Sequence, residues 1–348
     1  MEPITHLLTG GCLARTGLNR KSALATATLV LAAEAPDLDI FTEFGGRVFG
    51  FEHHRGISHT LVGAPLVSVF VVGVLYVGHR LWRKYRPKPN AVTPRWGVLW
   101  LLGCLAALSH ILLDFTNSYG VRPFEPFSYR WYSWDIVYII EPVLWLILLG
   151  GLILPSLFGL VDREVGARSK RPRGRLGATI ALVLVVVFWG VRDYEHRRAV
   201  AAMDALTYRD QDAIKTSAFP YMLNPFRWYG VVETSDSYHL MDVDSLTPQV
   251  DPDGMVRVLR KPEETPITLA AKKSYFGRVY LDWAQYPMTE VEEVQLPQPA
   301  YLVRIYDLRY TYPGRKGTTL GGWVLLNQNL RMLEEGFGPR PSYNGRTD

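Results

Sequence analysis

The chain has 348 residues, room for two domains, and a hydrophobic fraction of 48% that is unevenly spread. Its net charge of +5 suggests nucleic acid only until it is divided: residues 1–192 carry 20 Lys/Arg against 12 Asp/Glu, a surplus of +8, and residues 193–348 carry 18 against 21, or −3. The surplus sits in two short segments between apolar stretches, which argues against a nucleic-acid partner, and Cys12 and Cys104, both in apolar surroundings, exclude a disulfide framework.

In chain order, residues 3–17 read as a short helix carrying His6, with Arg15, Arg20 and Lys21 toward its far end. The first 20 residues lack a basic stretch followed by an apolar core, so no cleavable signal peptide is expected. Ser22–Ala33 is apolar but only 12 residues long, a half-helix rather than a span, capped by Ser22 and ended by Pro36. The two short helices predict a hairpin dipping into a bundle and returning Asp37 and Asp39 to the level of His6. Gly45, Gly46 and Gly50 mark a loop before the run His53-His54-Arg55-Gly56-Ile57-Ser58-His59.

Four long apolar stretches follow. Residues 60–78 and 176–191 contain no charged side chain, 96–113 has only His110 as an ionisable group, and 136–161 only Glu141. Each is near the roughly 20 residues a spanning helix needs, which predicts four transmembrane helices. Between them lie the basic segments 79–95 (Arg80, Arg83, Lys84, Arg86, Lys88, Arg95) and 162–175 (Arg163, Arg168, Lys170, Arg171, Arg173, Arg175). The positive-inside rule makes both cytoplasmic. The loop 116–135 and residues 193–348 are then extracytoplasmic, and His54, His59, His110 and Asp114 fall near the outer membrane face. Residues 193–220 read as a helical linker. Beyond it, strand-like runs at Trp228–Val232, Met255–Leu259, Arg278–Trp283, Tyr301–Tyr310 and Trp323–Leu326, separated by turns such as Asp251–Gly254 and Pro313-Gly314, predict a mainly antiparallel β domain over 221–340, with a loose polar tail after Gly336. The expected fold is an all-α membrane bundle, 1–192, of four spans plus the hairpin, followed by that domain.

Imidazole and carboxylate beside hydrocarbon are costly unless they pair, line water or hold a cation. His110 and Asp114 are four apart on one helix face and either chelate an ion or form a stabilising hydrogen bond at the end of a span. Pro36-Asp37-Leu38-Asp39 supplies a ligand or merely turn and cap chemistry. His53, His54 and His59, with Arg55 and Ser58 among them, suit zinc or another first-row metal, and the aspartates widen the choice to manganese or magnesium. The aromatic stretch 116–141 is first an interfacial belt, yet Asn117, Arg122, Arg130 and Asp135 within it are placed to meet a lipid head group. Glu141 is a candidate as an intramembrane acid.

Thr5-His6-Leu-Leu-x-Gly10, Pro36-Asp37-x-Asp39, His54-Arg55-Gly56-Ile57-Ser58-His59-Thr60, His110-x-x-x-Asp114 and Asn117-Ser-Tyr-Gly-Val-Arg122 together resemble the YdjM family of bacterial inner-membrane proteins over roughly residues 1–160. The resemblance implies a membrane-bound, metal-dependent hydrolase. A weaker similarity reaches zinc-dependent phospholipase C and the P1-type nucleases, by which His6, Asp37 or Asp39, His54 or His59, and His110 with Asp114 would be ligands. The lack of a second His-x-x-x-Asp/Glu pair after Asp114 points to one or two metals rather than three.

The expectation is a phosphoester hydrolase of the bacterial inner membrane acting on a lipid or lipid-linked substrate at the outer leaflet. His6, Asp37, Asp39, His54, His59, His110 and Asp114 supply ligands, most simply to zinc. Metal-activated water is the nucleophile, Arg55 and Arg122 neutralise the phosphate, and whichever of Asp37 and Asp39 is not a ligand is the base. The rival is a non-enzymatic scaffold or a transporter. A transporter calls for repeated halves, which this chain lacks, and a scaffold calls for a metal closed to water.

Overall fold

The computed structural model describes residues 1–86, 92–164, 173–208, 211–295, 298–312 and 320–339, without the side chains of 158–164 and 173. Lys88, Arg168, Lys170, Arg171, the Pro313-Gly314 turn and the tail past 339 lie outside these residues, as do the side chains of Arg163 and Arg173. By its contacts the chain divides into two units: Met1–Asp39, Arg55–Arg197 and Pro220–Pro225, and then Ile40–His54, Arg198–Phe219 and Phe226–Asp348.

The first unit is helical. Helix α1 (Pro3–Arg15) starts on a proline and is capped by Glu2, whose carboxylate accepts the Thr5 N–H at 2.9 Å. A 3₁₀ turn at Leu18–Arg20 reverses the chain into α2 (Ala25–Glu34), forming the expected hairpin. Ser22 is not its cap: α2 starts after Leu24 in a left-handed conformation, while the Ser22 hydroxyl accepts the Arg95 N–H at 2.8 Å. The hairpin is tight because Gly10 faces α2; a Cβ there would lie 2.8 Å from the Leu29 carbonyl and 3.0 Å from the Ala33 methyl.

Among the described residues, three helices are long and apolar enough to cross a membrane: α4 (Gly63–Tyr85), α5 (Trp96–Phe115) and α7 (Arg173–Asp204). The stretch expected as the third span forms α6 (Pro142–Glu164), whose apolar part, Pro142–Leu157, is shorter. Half of the apolar window of α5 is buried, against 17% for α4 and α7, so α5 is the central helix. Ala25, Leu29, Ala32 and Ala33 of α2 pack on Leu99, Leu102 and Ala106 of α5. Leu8 and Cys12 of α1 pack on Leu144 and Leu148 of α6 and Ala178, Ala181 and Val185 of α7. The hairpin is therefore part of the bundle core, and His6 lies inside it.

The second unit carries two antiparallel sheets. The first pairs β1 (Lys215–Pro220), β2 (Arg227–Glu233), β3 (Ser237–Asp244) and β4 (Gln249–Val250) in order, with β5 (Arg257–Arg260) also on β3. The second is a meander of β6 (Pro287–Gln295), β7 (Pro299–Asp307), β8 (Gly321–Asn327) and β9 (Met332–Phe337). Between the sheets in sequence lie α8 (Pro266–Lys272) and α9 (Tyr275–Trp283). The strand expected at Arg278–Trp283 is thus helical: Ser274 caps α9 by accepting the Gly277 N–H, and Phe276, Tyr280 and Trp283, at spacings of four and three, are buried together. The excursion Ile40–His54, with α3 (Arg47–His53), packs in this unit. The Phe51 ring lies 5.3 Å from Trp283 and 4.8 Å from Phe337, and the Tyr275 hydroxyl donates to Glu52.

Candidate metal centre

His110 and Asp114 sit one turn apart on α5, both buried. The Ala33 carbonyl, at the end of α2, accepts from His110 Nδ1 at 2.7 Å. A carbonyl can only accept, so the ring proton is on Nδ1 and Nε2 of the neutral imidazole carries a lone pair. His59 closes the 3₁₀ turn Ile57–His59, and its Nδ1 is 3.2 Å from Asp39 Oδ2 and 3.0 Å from the Ser58 hydroxyl. The carboxylate takes that proton too, again leaving Nε2 bare. The two Nε2 atoms face each other at 3.0 Å.

Two carboxylates complete the set. Asp37 Oδ1 lies 3.3 Å from His59 Nε2 and 3.4 Å from His110 Nε2, and Asp114 Oδ2 lies 3.4 Å from each. All four atoms lie within 4.8 Å of one another. Asp114 Oδ2 is buried and has no hydrogen-bond partner. Lone pairs converging in this way repel unless positive charge sits among them, and one cation satisfies all four. The two-nitrogen, two-oxygen set suits a first-row divalent ion, and the five separations that involve an imidazole nitrogen, 3.0–3.4 Å, are close to the ~3.3 Å edge of a tetrahedron with ~2.0–2.1 Å arms.

Arg55 holds the surroundings in place. It adopts a left-handed backbone, φ 54°, a strained conformation for a side chain of this size. Its N–H donates to Asp39 Oδ2 at 2.7 Å, and its guanidinium donates to Asp114 Oδ1 at 2.9 Å, to the Gly120 carbonyl at 2.9 Å and to Asn117 Oδ1 at 3.3 Å. The guanidinium also lies 4.8 Å from the centre of the Tyr119 ring. Gly120 fits this turn through its φ of 84°; a Cβ would lie 2.9 Å from the Tyr132 carbonyl. The Met1 amino group also contacts Asp114 Oδ1.

His6 stacks on His110 with ring centroids 3.6 Å apart, and its Nε2 is 3.6 Å from Asp114 Oδ1. Both ring nitrogens are buried without a hydrogen-bond partner. Burial first, then the neighbouring His110, holds its imidazole well below the usual histidine range. At the end of α2, burial and then the Asp37 and Glu2 carboxylates push the Glu34 carboxyl up to about 7.

Of the residues anticipated from sequence, Asp37, His59, His110 and Asp114 come together, His6 lies against them, and Asp39 stands behind His59. His54 is not among the four: it follows α3 in an extended conformation just before the Arg55 turn, and it is His59, five residues on, that reaches the cluster. His53 is exposed, its Nδ1 3.0 Å from the Phe49 carbonyl. Arg122 lies over the Trp131 ring at 4.6 Å and 3.4 Å from Glu125. The carbonyls of Ala33 and Gly120 were not anticipated, because a backbone acceptor leaves no mark on residue type.

No solved structure matches the chain. The uncharacterized protein YfhP of Bacillus subtilis (strain 168) is 26% identical over 124 residues, 36% of this chain. The match spans about a third (34%) of that relative's length. The profile of the YdjM inner membrane protein family covers residues 1–199, more than half of the chain and all of the cluster, and the chain belongs to that family.

Proposed function

We propose that the chain is a metal-dependent hydrolase of the bacterial inner membrane, acting on a phosphoester of a lipid or lipid-linked substrate. The observation that carries this reading is the convergence of His59 Nε2, His110 Nε2, Asp37 Oδ1 and Asp114 Oδ2, with an acceptor, Asp39 or the Ala33 carbonyl, behind each imidazole at Nδ1. These four residues are the ligands, with zinc the simplest occupant and manganese or magnesium the alternatives. A divalent ion bound there supplies Lewis acidity, lowering the pKa of water and polarising a phosphoryl oxygen.

The chain's own groups do the rest. Asp39 and the Ala33 carbonyl hold the two imidazoles in the ligating tautomer. Arg55 holds Asp114 and closes the turn onto Asp39, so its charge positions a ligand rather than waiting for phosphate. Buried and unpartnered, His6 is a further ligand or contacts the substrate beside the ion. The phosphate-neutralising role passes to Arg122, on the loop that follows Asp114.

Partial exposure supports catalysis over a structural metal. The Asp37 side chain is 25% exposed while those of His59, His110 and Asp114 are fully buried, so the cluster is shut on three corners and reachable at the fourth. A structural site is closed and a catalytic one keeps a position open. In the membrane we place four spans, with α6 as the third, the basic segments in the cytoplasm and the β domain outside it, which sets the cluster at the outer leaflet.

The test is metal analysis of the purified full chain with a panel of phosphodiesters and phospholipids, beside His110→Ala. We expect about one equivalent of metal, hydrolysis of at least one phosphoester, and loss of both in the variant, since removing one of four ligands disrupts the site. Equal activity in His110→Ala overturns the mechanism. A metal-loaded chain inert on the whole panel favours the scaffold.

A further inference from the structure

The 3₁₀ segment Ala35–Gly45 does two unlike things. One side carries Asp37 and Asp39 to the histidines, and the rest leaves Leu38, Ile40, Phe41 and Phe44 exposed. Phe44 is 89% exposed, and its ring stacks on that of Phe41 at 5.9 Å. A second segment repeats the pattern. The loop leaving Asp114 gives Asn117 and Gly120 to the Arg55 guanidinium, then leaves Phe127 84% exposed. Its nearby arginines are laid over aromatic rings, Arg122 on Trp131 and Arg130 on Tyr132, and Phe127 is its most exposed large apolar side chain.

Such side chains left in water are unfavourable, and what covers them follows from where the segments begin. The Leu61 N–H donates to the Pro123 carbonyl at 2.9 Å, which ties the loop to the residues just before α4. Asp37 and Asp39 contact His59, four residues before α4 starts. Both segments therefore leave from the end of the bundle where α4 begins and α5 ends. Exposed phenylalanines at that level fit the boundary between head groups and acyl chains.

We infer that the Leu38–Phe44 segment and the tip of the 116–135 loop at Phe127 insert into the adjoining leaflet, and that the substrate is an amphiphile drawn sideways from it with its acyl chains still in the bilayer. The insertion stands on these exposed side chains alone; the substrate statement rests on the hydrolase reading. Because each inserted segment also carries residues of the centre, a polar head group entering between lipids meets Asp37, the one accessible corner.

The full chain in lipid nanodiscs, with Cys104→Ser, tests this by spin-labelling Phe44→Cys and Phe127→Cys separately and Gln328→Cys, an exposed β-domain position, as reference. We expect accessibility to oxygen relative to a water-soluble nickel chelate to be severalfold higher at 44 and 127 than at 328. A ratio at either position equal to that at 328 overturns insertion for that segment. Phe44→Ser with Phe127→Ser is then assayed on vesicle-borne phospholipid and on a water-soluble phosphodiester. A loss of about tenfold on vesicles alone supports lateral access, since that is the scale of a lost phenylalanine burial. An equal effect on both substrates overturns it. If the unaltered chain hydrolyses neither, the hydrolase reading fails and the labelling result is untouched.

Discussion

A carboxylate behind an imidazole sets which ring nitrogen faces a cation, and Asp39 does this for His59 as the Ala33 carbonyl does for His110. Asp39→Asn keeps an acceptor but removes the charge, so metal affinity is expected to fall about 10–100-fold with stoichiometry retained. Competition titration against a chromophoric chelator measures it, and unchanged affinity would show that the tautomer is held by Ser58 instead. Glu34 allows a test of pH. Its folded pKa of about 7 lies above the ordinary 4.5, so the folded state binds the proton more tightly and stability falls as pH rises between those values. Glu34→Gln, stripped of metal, should therefore melt higher than the parent at pH 8 and level with it at pH 4; thermal unfolding in detergent decides. Sequence alone identified Asp37, His59, His110 and Asp114 among its candidates, because acids and imidazoles beside hydrocarbon are conspicuous. It did not separate His54 from His59, since both sit in one polar run and only the left-handed turn at Arg55 sends the second toward α5.

Helix packing carries these side chains. The α1–α2 hairpin brings His6 onto the face of the His110 ring and the Ala33 carbonyl to its Nδ1, and Gly10 sets how closely the two helices approach. Gly10→Val places branched carbons where 2.8 Å separates a Cβ from the Leu29 carbonyl, so the helices must part. The expected cost is about 1–3 kcal/mol, with metal content reduced at saturating concentration. Normal metal loading with only a lower melting temperature would show that the centre tolerates a spread hairpin. The hairpin was legible because Pro36 and the basic turn bracket two short apolar runs. The α9 strand was misread because Arg278–Trp283, taken without Ser274, shows alternation as readily as a helical stripe.

At the scale of the whole molecule, orientation is the claim with most at stake. If the basic segments are cytoplasmic, Gln328→Cys should react with a membrane-impermeant maleimide in intact cells, and a cysteine at Arg83 only after permeabilisation. The reverse pattern would put the centre on the cytoplasmic side. Composition announced a β-rich second half, yet nothing in residue type marks Ile40–His54 as part of the second unit. That membership depends on Phe51 meeting Trp283 and Phe337, residues more than 200 positions away, and pairings of such range leave no local trace.

The bond from the Arg55 N–H to Asp39 clasps the two ends of that excursion. Fifteen residues thus leave and re-enter the membrane unit through one hydrogen-bonded gate, and the carboxylate forming the gate is the one that steers His59. Opening that neck would cost His59 its carboxylate partner as well, so the closure of the loop and the orientation of the imidazole stand or fall on one side chain.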